Sequence, residues 1–291
     1  MRKSIWFRLA PWLYLFVPLA LLITFTYLPV ANMFSYSFTS WDGLDKTKDW
    51  VGLDNYIRIF TDPEILSVFG VSLYYLLGAF LQLGLALYLA TILSFELRLR
   101  NFFKGVIFFP YLINGVAIGF IFLYLFQGEG ALDLLLRFLG LDFLIQQWLG
   151  NPDVVNWSMT GTSVWRYLGF NVVLYIGAIA SIQPDLFEAA ELDGANRWHQ
   201  FRYLILPSIK RITLLTMILA ISGSLSVFEI PYIMLMGANG TETFVIATVE
   251  KAFQLRKVGL ASAMAVVLLI IVLVVTAIQR MIIKDERAEL T

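Results

Sequence analysis

The residues best suited to a specific role lie in one polar segment, residues 183–207. Pro184 suits the first turn of a helix and Gly194 suits the left-handed position that ends one, which predicts a helix of about ten residues between them. Asn196 can cap a second short helix, and Pro207 then restricts the chain. The spacing predicts a helix–glycine–helix elbow. Such an elbow could be an ordinary amphipathic connector, or it could fit a cleft in a partner.

Catalytic and metal chemistry have little support in this sequence. The chain has no Cys and a single His, His199, which excludes a disulfide framework and a thiolate zinc site. We therefore predict no catalytic residue and no metal site, and we expect His199 to be exposed or in a contact. The 21 basic and 21 acidic residues leave no net field that would attract a nucleic acid.

A second set of candidates consists of polar and aromatic side chains inside apolar stretches. Polar groups within a membrane are costly and usually face a cavity or one another. The residues that we predict to line such a pathway are Asn114, Trp165, Asn171, Ser224, Phe228, Glu229 and Tyr232. Glu229 could equally form an ion pair or a gate contact, and Pro231 beside it predicts a loosened helix. Arg166 is expected to extend to the outer interface.

The elements that must position these residues are membrane spans. Hydrophobic residues make up 59% of the 291 residues and charged ones 14%, against about a quarter in soluble domains. This composition excludes a disordered chain and an ordinary cytosolic enzyme. Because a bilayer core requires about 20 apolar helical residues, the uncharged runs predict an all-α, polytopic helical bundle in a single domain, 1–291. The six predicted spans are 11–31, 69–93, 105–127, 163–182, 212–235 and 259–280.

Two segments have alternative interpretations. The first span could be a signal peptide, but its apolar run is long and no small-residue cleavage site follows it, so we predict a retained span. Residues 132–149 are apolar yet contain Asp133, Arg137 and Asp142, so we predict an interfacial or loop-buried helix and not a span.

Basic residues predict the orientation. With both termini in the cytoplasm, thirteen Lys and Arg residues lie on the inner side and eight on the outer side. The cations before the first span, Arg2, Lys3 and Arg8, agree with this topology, whereas Arg256 and Lys257 argue against it. We predict cytoplasmic termini and a cytoplasmic elbow.

The elbow contains a recognisable pattern. It has Glu188, Ala189 and Ala190, then three residues, Gly194, nine residues, and the sequence LILP that ends at Pro207. This pattern resembles the EAA loop of permease subunits of bacterial ABC importers. The longer run EAAELDGANRWHQF is similar to the carbohydrate branch, the MalF-type permeases, as are VGLDNYIRIFTDP and GLASA. The resemblance extends over residues 10–283, although MLMGANGTET replaces the Thr-x-Gly-Gly-Pro run that the family often has.

The resemblance implies a type I ABC importer permease fold with six transmembrane helices, and a role as a non-enzymatic subunit that imports a mono- or oligosaccharide. It implies four partners besides the bilayer: a second permease in a heterodimer, a cytoplasmic ATPase dimer, an extracytoplasmic solute-binding protein and the sugar. ATP and Mg would bind the ATPase, and this chain would hold no cofactor. The chain would lie in a bacterial inner membrane. The implied coupling residues are Glu188, Ala189, Ala190, Asp193, Gly194, Leu206 and Pro207.

Other classes of function have weaker support. A proton-coupled transporter could use Glu229 as its relay, but the other predicted spans offer no further buried acid. A membrane-embedded enzyme would need clustered His, Asp or Cys within the spans, and the sequence has no such cluster. The sequence also has no G-x-x-x-x-G-K-[ST] motif, so any work done by ATP must come from another chain.

Overall fold

The structure is a computed structural model that describes the backbone of residues 5–95 and 98–288, with the side chains of 12, 14–95 and 98–281. The basic side chains of Arg2, Lys3, Arg8, Lys284 and Arg287 lie outside the described set. The helices before the elbow are α1 Ile5–Leu22, α2 Leu28–Tyr36, α3 Asp54–Thr61, α4 Pro63–Ser94, α5 Arg100–Leu112, α6 Gly115–Leu125, α7 Ala131–Phe138 and α8 Pro152–Ala180. Those of the elbow and beyond are α9 Pro184–Leu192, α10 Arg197–His199, α11 Leu206–Ser208, α12 Lys210–Leu225, α13 Glu229–Leu235, α14 Phe244–Val249 and α15 Val258–Ala288.

The described chain is helical, and within it only an isolated bridge joins Thr39 and Trp50 in the manner of a strand. Within the residues that the structure describes, five helical segments are long and apolar enough to cross a membrane. The segments are Tyr14–Tyr36, Pro63–Ser94, Pro152–Ala180, Lys210–Leu235 and Val258–Met281. The bent pair α5 and α6 makes a sixth if it is one span. The predicted all-α membrane bundle is confirmed, and the count of six depends on this pair.

The third predicted span, 105–127, is not one straight helix. Helices α5 and α6 meet at an angle of 96°. Ile113 is extended, and the Asn114 side chain accepts a hydrogen bond from the Val116 backbone N–H at 2.9 Å, which caps α6. Pro110 lies in the last turn of α5 and cannot donate a backbone hydrogen bond there. The apolar composition of this segment did not indicate the break, because a single polar residue that caps a helix hardly changes the mean hydropathy.

The fourth span begins earlier than predicted. Helix α8 starts at Pro152, where the Asn151 side chain accepts a hydrogen bond from the Asp153 N–H. Its first three turns are polar but largely buried; for example, the Asn156 amide donates to the Gly240 carbonyl at 3.0 Å. A hydropathy argument misses this part because it does not detect polar side chains that tertiary packing buries.

The fifth span is interrupted where a loosened helix was predicted. Helix α12 ends at Leu225 and α13 begins at Glu229, so Ser226–Phe228 separate them. The break precedes Pro231, which lies within the first turn of α13, as expected for a residue that lacks a backbone donor.

The described residues form two compact units by their contacts. One comprises residues 1–63 with 248–270, and the other comprises 64–247 with 271–291. The single-domain organisation stays a prediction. In the first unit a Cβ added to Gly259 would overlap the Thr39 carbonyl, and the Gly259 N–H donates to the Trp41 carbonyl at 2.9 Å. Glycine is required there by a close backbone contact.

The loop after α2 in the first unit is partly ordered by its own hydrogen bonds. The Asp42 carboxylate accepts from the backbone N–H groups of Asp45 and Leu44, both at 2.9 Å. These bonds favour the charged form and hold the pKa of Asp42 below its usual value. Since the pKa is depressed, their contribution to stability is present at neutral pH and is lost as the pH falls through that lowered pKa.

The second unit contains the core that supports the elbow. Leu83, Ala86, Ala90 and Leu93 of α4 pack with Val172, Tyr175 and Ile179 of α8, and Ile205 and Ile209 from the elbow join the same cluster. The Tyr175 hydroxyl also hydrogen-bonds the Thr216 hydroxyl at 2.9 Å. The end of the elbow is therefore fixed to the long helices.

Residues 132–149 do not form a candidate span. They contain α7 and a short 3₁₀ turn at Asp142–Leu144, which are too short to cross a membrane. Asp133 is buried, with 3% exposure, and its carboxylate accepts hydrogen bonds from the Trp148 Nε1–H at 2.8 Å and the Glu129 N–H at 2.9 Å. The Asp133 carboxylate therefore holds this loop together by hydrogen bonds and is not part of a solvated surface.

Substituting Asp133→Ala is expected to lower the free energy of unfolding by about 3 kcal/mol, because the Trp148 Nε1–H and the Glu129 N–H lose their shared buried acceptor. Thermal unfolding in detergent measures the effect. The control is Asp142→Ala, an exposed acid nine residues away for which a change below about 0.5 kcal/mol is expected. Equal midpoints for the two variants would show that the Asp133 contacts contribute nothing.

Candidate functional site

The first arm of the elbow ends in a Schellman motif. Pro184 occupies the first turn of α9 and Gly194 has φ +77°. The Ala195 N–H donates to the Ala190 carbonyl at 2.9 Å, and the Gly194 N–H donates to the Glu191 carbonyl at 3.0 Å. The predicted helix and its glycine terminator are confirmed.

The second arm follows directly. The Asn196 carboxamide oxygen accepts a hydrogen bond from the His199 N–H at 2.9 Å, so Asn196 caps α10 as predicted. A π-helical turn, Gln200–Ile205, then leads into α11, where Pro207 lies in the first turn. Ile205 is fully buried, which anchors this arm to the core of the second unit.

The predicted coupling residues lie mostly on the accessible side of the elbow. Those that are exposed are Glu188, Ala189, Asp193, Gly194 and Pro207, while Ala190 and Leu206 are half-buried. Two further apolar side chains project from the same elbow: Leu192 is 90% exposed and Trp198 is 65% exposed. The exposed leucine and tryptophan thus add apolar surface to an elbow that also presents Glu188 as an exposed acidic group.

A cavity of about 570 Å³ lies among α4, α8 and the α12–α13 break. Four of the seven predicted pathway residues line it, namely Asn171, Ser224, Phe228 and Glu229. Asn171 and Ser224 are buried, and each donates to a carbonyl of its own helix. Aromatic rings supply much of the remaining wall, including Tyr111, which stacks on Phe170 with ring centroids 4.8 Å apart.

The other three predicted residues do not line this cavity. Asn114 caps α6, as described above. Trp165 packs on Phe122 with ring centroids 5.1 Å apart, and Tyr232 stacks on Phe228 at 4.7 Å. Tyr232 therefore supports a residue of the wall without forming it.

Glu229 forms an ion pair, one of the alternatives left open for it, and its partner Arg166 was not predicted from the sequence. The Arg166 Nη1 donates to the Glu229 Oε2 at 2.6 Å, and both residues line the cavity. The expectation that Arg166 extends to the outer interface is wrong: its side chain is only 12% exposed. An arginine in an apolar region is stabilised far better by a nearby carboxylate than by lipid. Arg166 also stacks over the Tyr167 ring, 5.1 Å from its centroid.

The pair depends on a close approach by α6. A Cβ added to Gly115 would overlap the Glu229 carboxylate, and one added to Gly119 would lie 2.6 Å from the Ile233 Cγ2. Glycines at these two positions let α6 pack against α13 and leave room for the carboxylate.

One match to a known family assigns this chain. Residues 82–287 match the family described as "Binding-protein-dependent transport system inner membrane component". The chain belongs to this family. The family is the membrane permease component of ABC importers, so this chain is a permease and not an enzyme, and ATP is hydrolysed by a partner.

Relatives of this permease match it over nearly its full length. It is 32% identical to the "Probable ABC transporter permease protein YurN" of Bacillus subtilis, over 97% of this chain and 98% of that one. It is 28% identical to the "Multiple sugar-binding transport system permease protein MsmF" of Streptococcus mutans, over 92% and 93%. The carbohydrate-branch resemblance of the sequence is thus confirmed.

A solved structure shares the fold of the permease. A chain of a bacterial alginate ABC transporter, in complex with an alginate pentasaccharide-bound periplasmic protein, superposes with a TM-score of 0.82 over 95% of this chain and 96% of that chain. Sequence identity is 19%, so this match shows the fold alone. It supports the type I importer architecture that the elbow pattern implied.

Proposed function

We propose that this permease imports a mono- or oligosaccharide, driven by a separate ATPase that engages its elbow. The observation that carries the proposal is the elbow itself. Its Schellman turn presents Glu188 and the apolar side chains of Leu192 and Trp198 on an accessible surface, while its other end is anchored in the core. A rigid projection of this kind can transmit movement of a partner to the helices around the cavity.

Sugar as the substrate class is supported by the relatives and by the cavity. The Streptococcus mutans relative is named as the permease of a multiple sugar-binding transport system. The cavity wall combines aromatic faces, such as those of Tyr111 and Phe228, with amide and hydroxyl groups, such as those of Asn171 and Ser224. Sugars are held by this combination, because their rings present C–H patches and hydroxyl groups together.

The remaining parts of the proposal concern partners and orientation. The span Tyr14–Tyr36 has no buried residue in its most apolar window, so most of its surface is available to lipid or to a second permease chain. We place a second, similar permease beside this chain, an ATPase dimer with bound ATP and Mg at the elbow, and a solute-binding protein outside the membrane. Both termini and the elbow would face the cytoplasm, in agreement with the distribution of basic residues.

The alternative of a proton relay at Glu229 is less well supported. A relay carboxylate must be accessible to successive proton donors and acceptors, whereas one oxygen of Glu229 is held by the Arg166 guanidinium at 2.6 Å. A metal site is a separate question: no group of three or more His, Cys, Asp or Glu side chains suited to a metal ion is found in the described part of the chain.

The test begins with purification of the tagged chain from its own membranes in mild detergent, and mass spectrometry of the proteins that accompany it. We expect an ABC ATPase and a second permease. Proteoliposomes made from this complex should take up sugar only with the binding protein outside and ATP inside. Recovery of the chain alone, with uphill transport after reconstitution, would contradict the proposal and favour the proton relay.

A further inference from the structure

The charge of the cavity restricts what it can hold. Among the described residues that line it, Arg166 and Glu229 are the charged ones, and they neutralise each other through the 2.6 Å ion pair. In an apolar region a further net charge is costly unless an opposite charge balances it. No lining residue in the described part of the chain has a spare opposite charge. A neutral ligand is therefore favoured over an anionic or cationic one.

Three polar atoms of the cavity wall lack a partner. They are the Arg166 Nε, the Tyr75 Oη and the Thr160 Oγ1, which are buried and form no hydrogen bond with any described residue. Tyr75 and Thr160 are each only 3% exposed. A buried polar group without a partner costs about 1–3 kcal/mol, so such groups are rare unless a ligand or water satisfies them.

The chemistry of these three atoms describes the complementary ligand. The Arg166 Nε can only donate, whereas the hydroxyls of Tyr75 and Thr160 can both donate and accept. A carboxylate could accept hydrogen bonds from all three groups, but it would bring a negative charge that no described lining residue balances. Several neutral hydroxyl groups satisfy all three atoms. The stacked rings of Tyr111 and Phe170 supply an apolar surface on the same wall.

We propose that the Arg166–Glu229 pair makes this cavity selective for uncharged saccharides, and that Arg166 contacts the sugar through its Nε. Glu229 holds the guanidinium through the Nη1, and the buried Nε–H stays available for a ligand. Arg166 is thus a specificity-determining residue. This inference rests on the proposed function, and it names the class of sugar that the proposed function leaves open.

The variant Arg166→Lys separates the two roles of Arg166. Lysine retains the positive charge that pairs with Glu229 but has no Nε donor and no planar fork. We expect the purified permease–ATPase complex of this variant to keep its yield and its unfolding midpoint without ligand. Its affinity for neutral sugar should fall by roughly tenfold to a hundredfold, the effect of losing one hydrogen bond from a charged donor.

The assay measures the thermal unfolding midpoint of the complex against ligand concentration. The probes are one mixture of neutral di- and trisaccharides of glucose, galactose, mannose, xylose and N-acetylglucosamine, and one of disaccharides that contain glucuronate or galacturonate. We expect the neutral mixture alone to stabilise the wild-type complex. Stabilisation by neither mixture, equal or greater stabilisation by the acidic one, or an unchanged response of Arg166→Lys would each overturn the inference.

A second variant tests the charge argument independently. Glu229→Gln leaves Arg166 as an unpaired cation, so the acidic mixture should now stabilise the complex more than it stabilises the wild type. An unchanged preference for neutral sugars would show that the pair does not set the selectivity. Co-purification with an ATPase and ATP-dependent uptake are unaffected by these outcomes, so failure of the inference is distinct from failure of the proposed function.

Discussion

Replacing Glu188 by lysine is expected to abolish uptake while leaving the permease in the membrane. Glu188 is exposed on α9 and the fold places no demand on it, so the variant should accumulate and unfold like the wild type. In the proposed complex its carboxylate would lie against the ATPase. Reversing a charge buried at an interface costs about 2–5 kcal/mol, which corresponds to a loss of uptake of roughly a hundredfold or more.

The matched control is Glu191→Lys, one turn further along the same helix. This residue undergoes the same change of charge and loses only a hydrogen bond of 3.4 Å from the Gln200 side chain. We expect near-normal uptake in proteoliposomes with binding protein and ATP. If Glu188→Lys transported normally, or if both variants failed equally, the specific role proposed for Glu188 would be wrong.

Introducing a side chain at Gly169 is expected to prevent the folded second unit from forming. A Cβ there would overlap the Ile107 carbonyl oxygen and would lie 2.7 Å from the Phe108 Cα. These are backbone atoms of α5, so no side-chain rotation can relieve the overlap and the helices must separate. For Gly169→Val we expect the free energy of unfolding to fall by on the order of 3 kcal/mol or more. We also expect the protein to aggregate on size-exclusion chromatography in detergent.

Gly177→Val on the same helix provides the control. Gly177 is exposed, and no heavy atom lies within 4 Å of the position that its Cβ would occupy. This variant should elute as the wild type does and unfold within about 0.5 kcal/mol of it. A Gly169→Val protein that was equally monodisperse and stable would mean that α5 and α8 do not pack as closely as the structure indicates.

The elbow was predictable because its signals are local. Pro184 starts the helix, Gly194 ends it and Asn196 caps the next, and each acts through backbone groups only a few residues away. Such signals survive in almost any tertiary context, since they depend on dihedral preferences and short-range hydrogen bonds. The family pattern lies in this same segment, which is why class and architecture could be inferred together.

The spans were predictable as apolar segments but not as individual helices. Hydropathy locates a segment that prefers lipid, and it is insensitive to a break that costs only a few hydrogen bonds. The bend between α5 and α6 was therefore not predicted. The gap at Ser226–Phe228 was indicated only by a nearby proline. The polar start of α8 was missed for the opposite reason, because tertiary packing buries polar side chains there, such as Asn156, whose amide donates to the distant Gly240 carbonyl.

The sequence by itself determined the apolar segments and the elbow, through composition and local backbone preferences, and the class of protein, through its resemblance to a known family. Only the tertiary structure decided which polar side chains meet. Arg166 and Glu229 are 63 residues apart in the chain, and nothing in the spacing of either indicates the other. Their pairing depends on how α6, α8 and α13 pack, with Gly115 leaving room for the carboxylate. Packing is a cooperative property of the whole chain, and so the charge of the cavity could not be deduced one segment at a time.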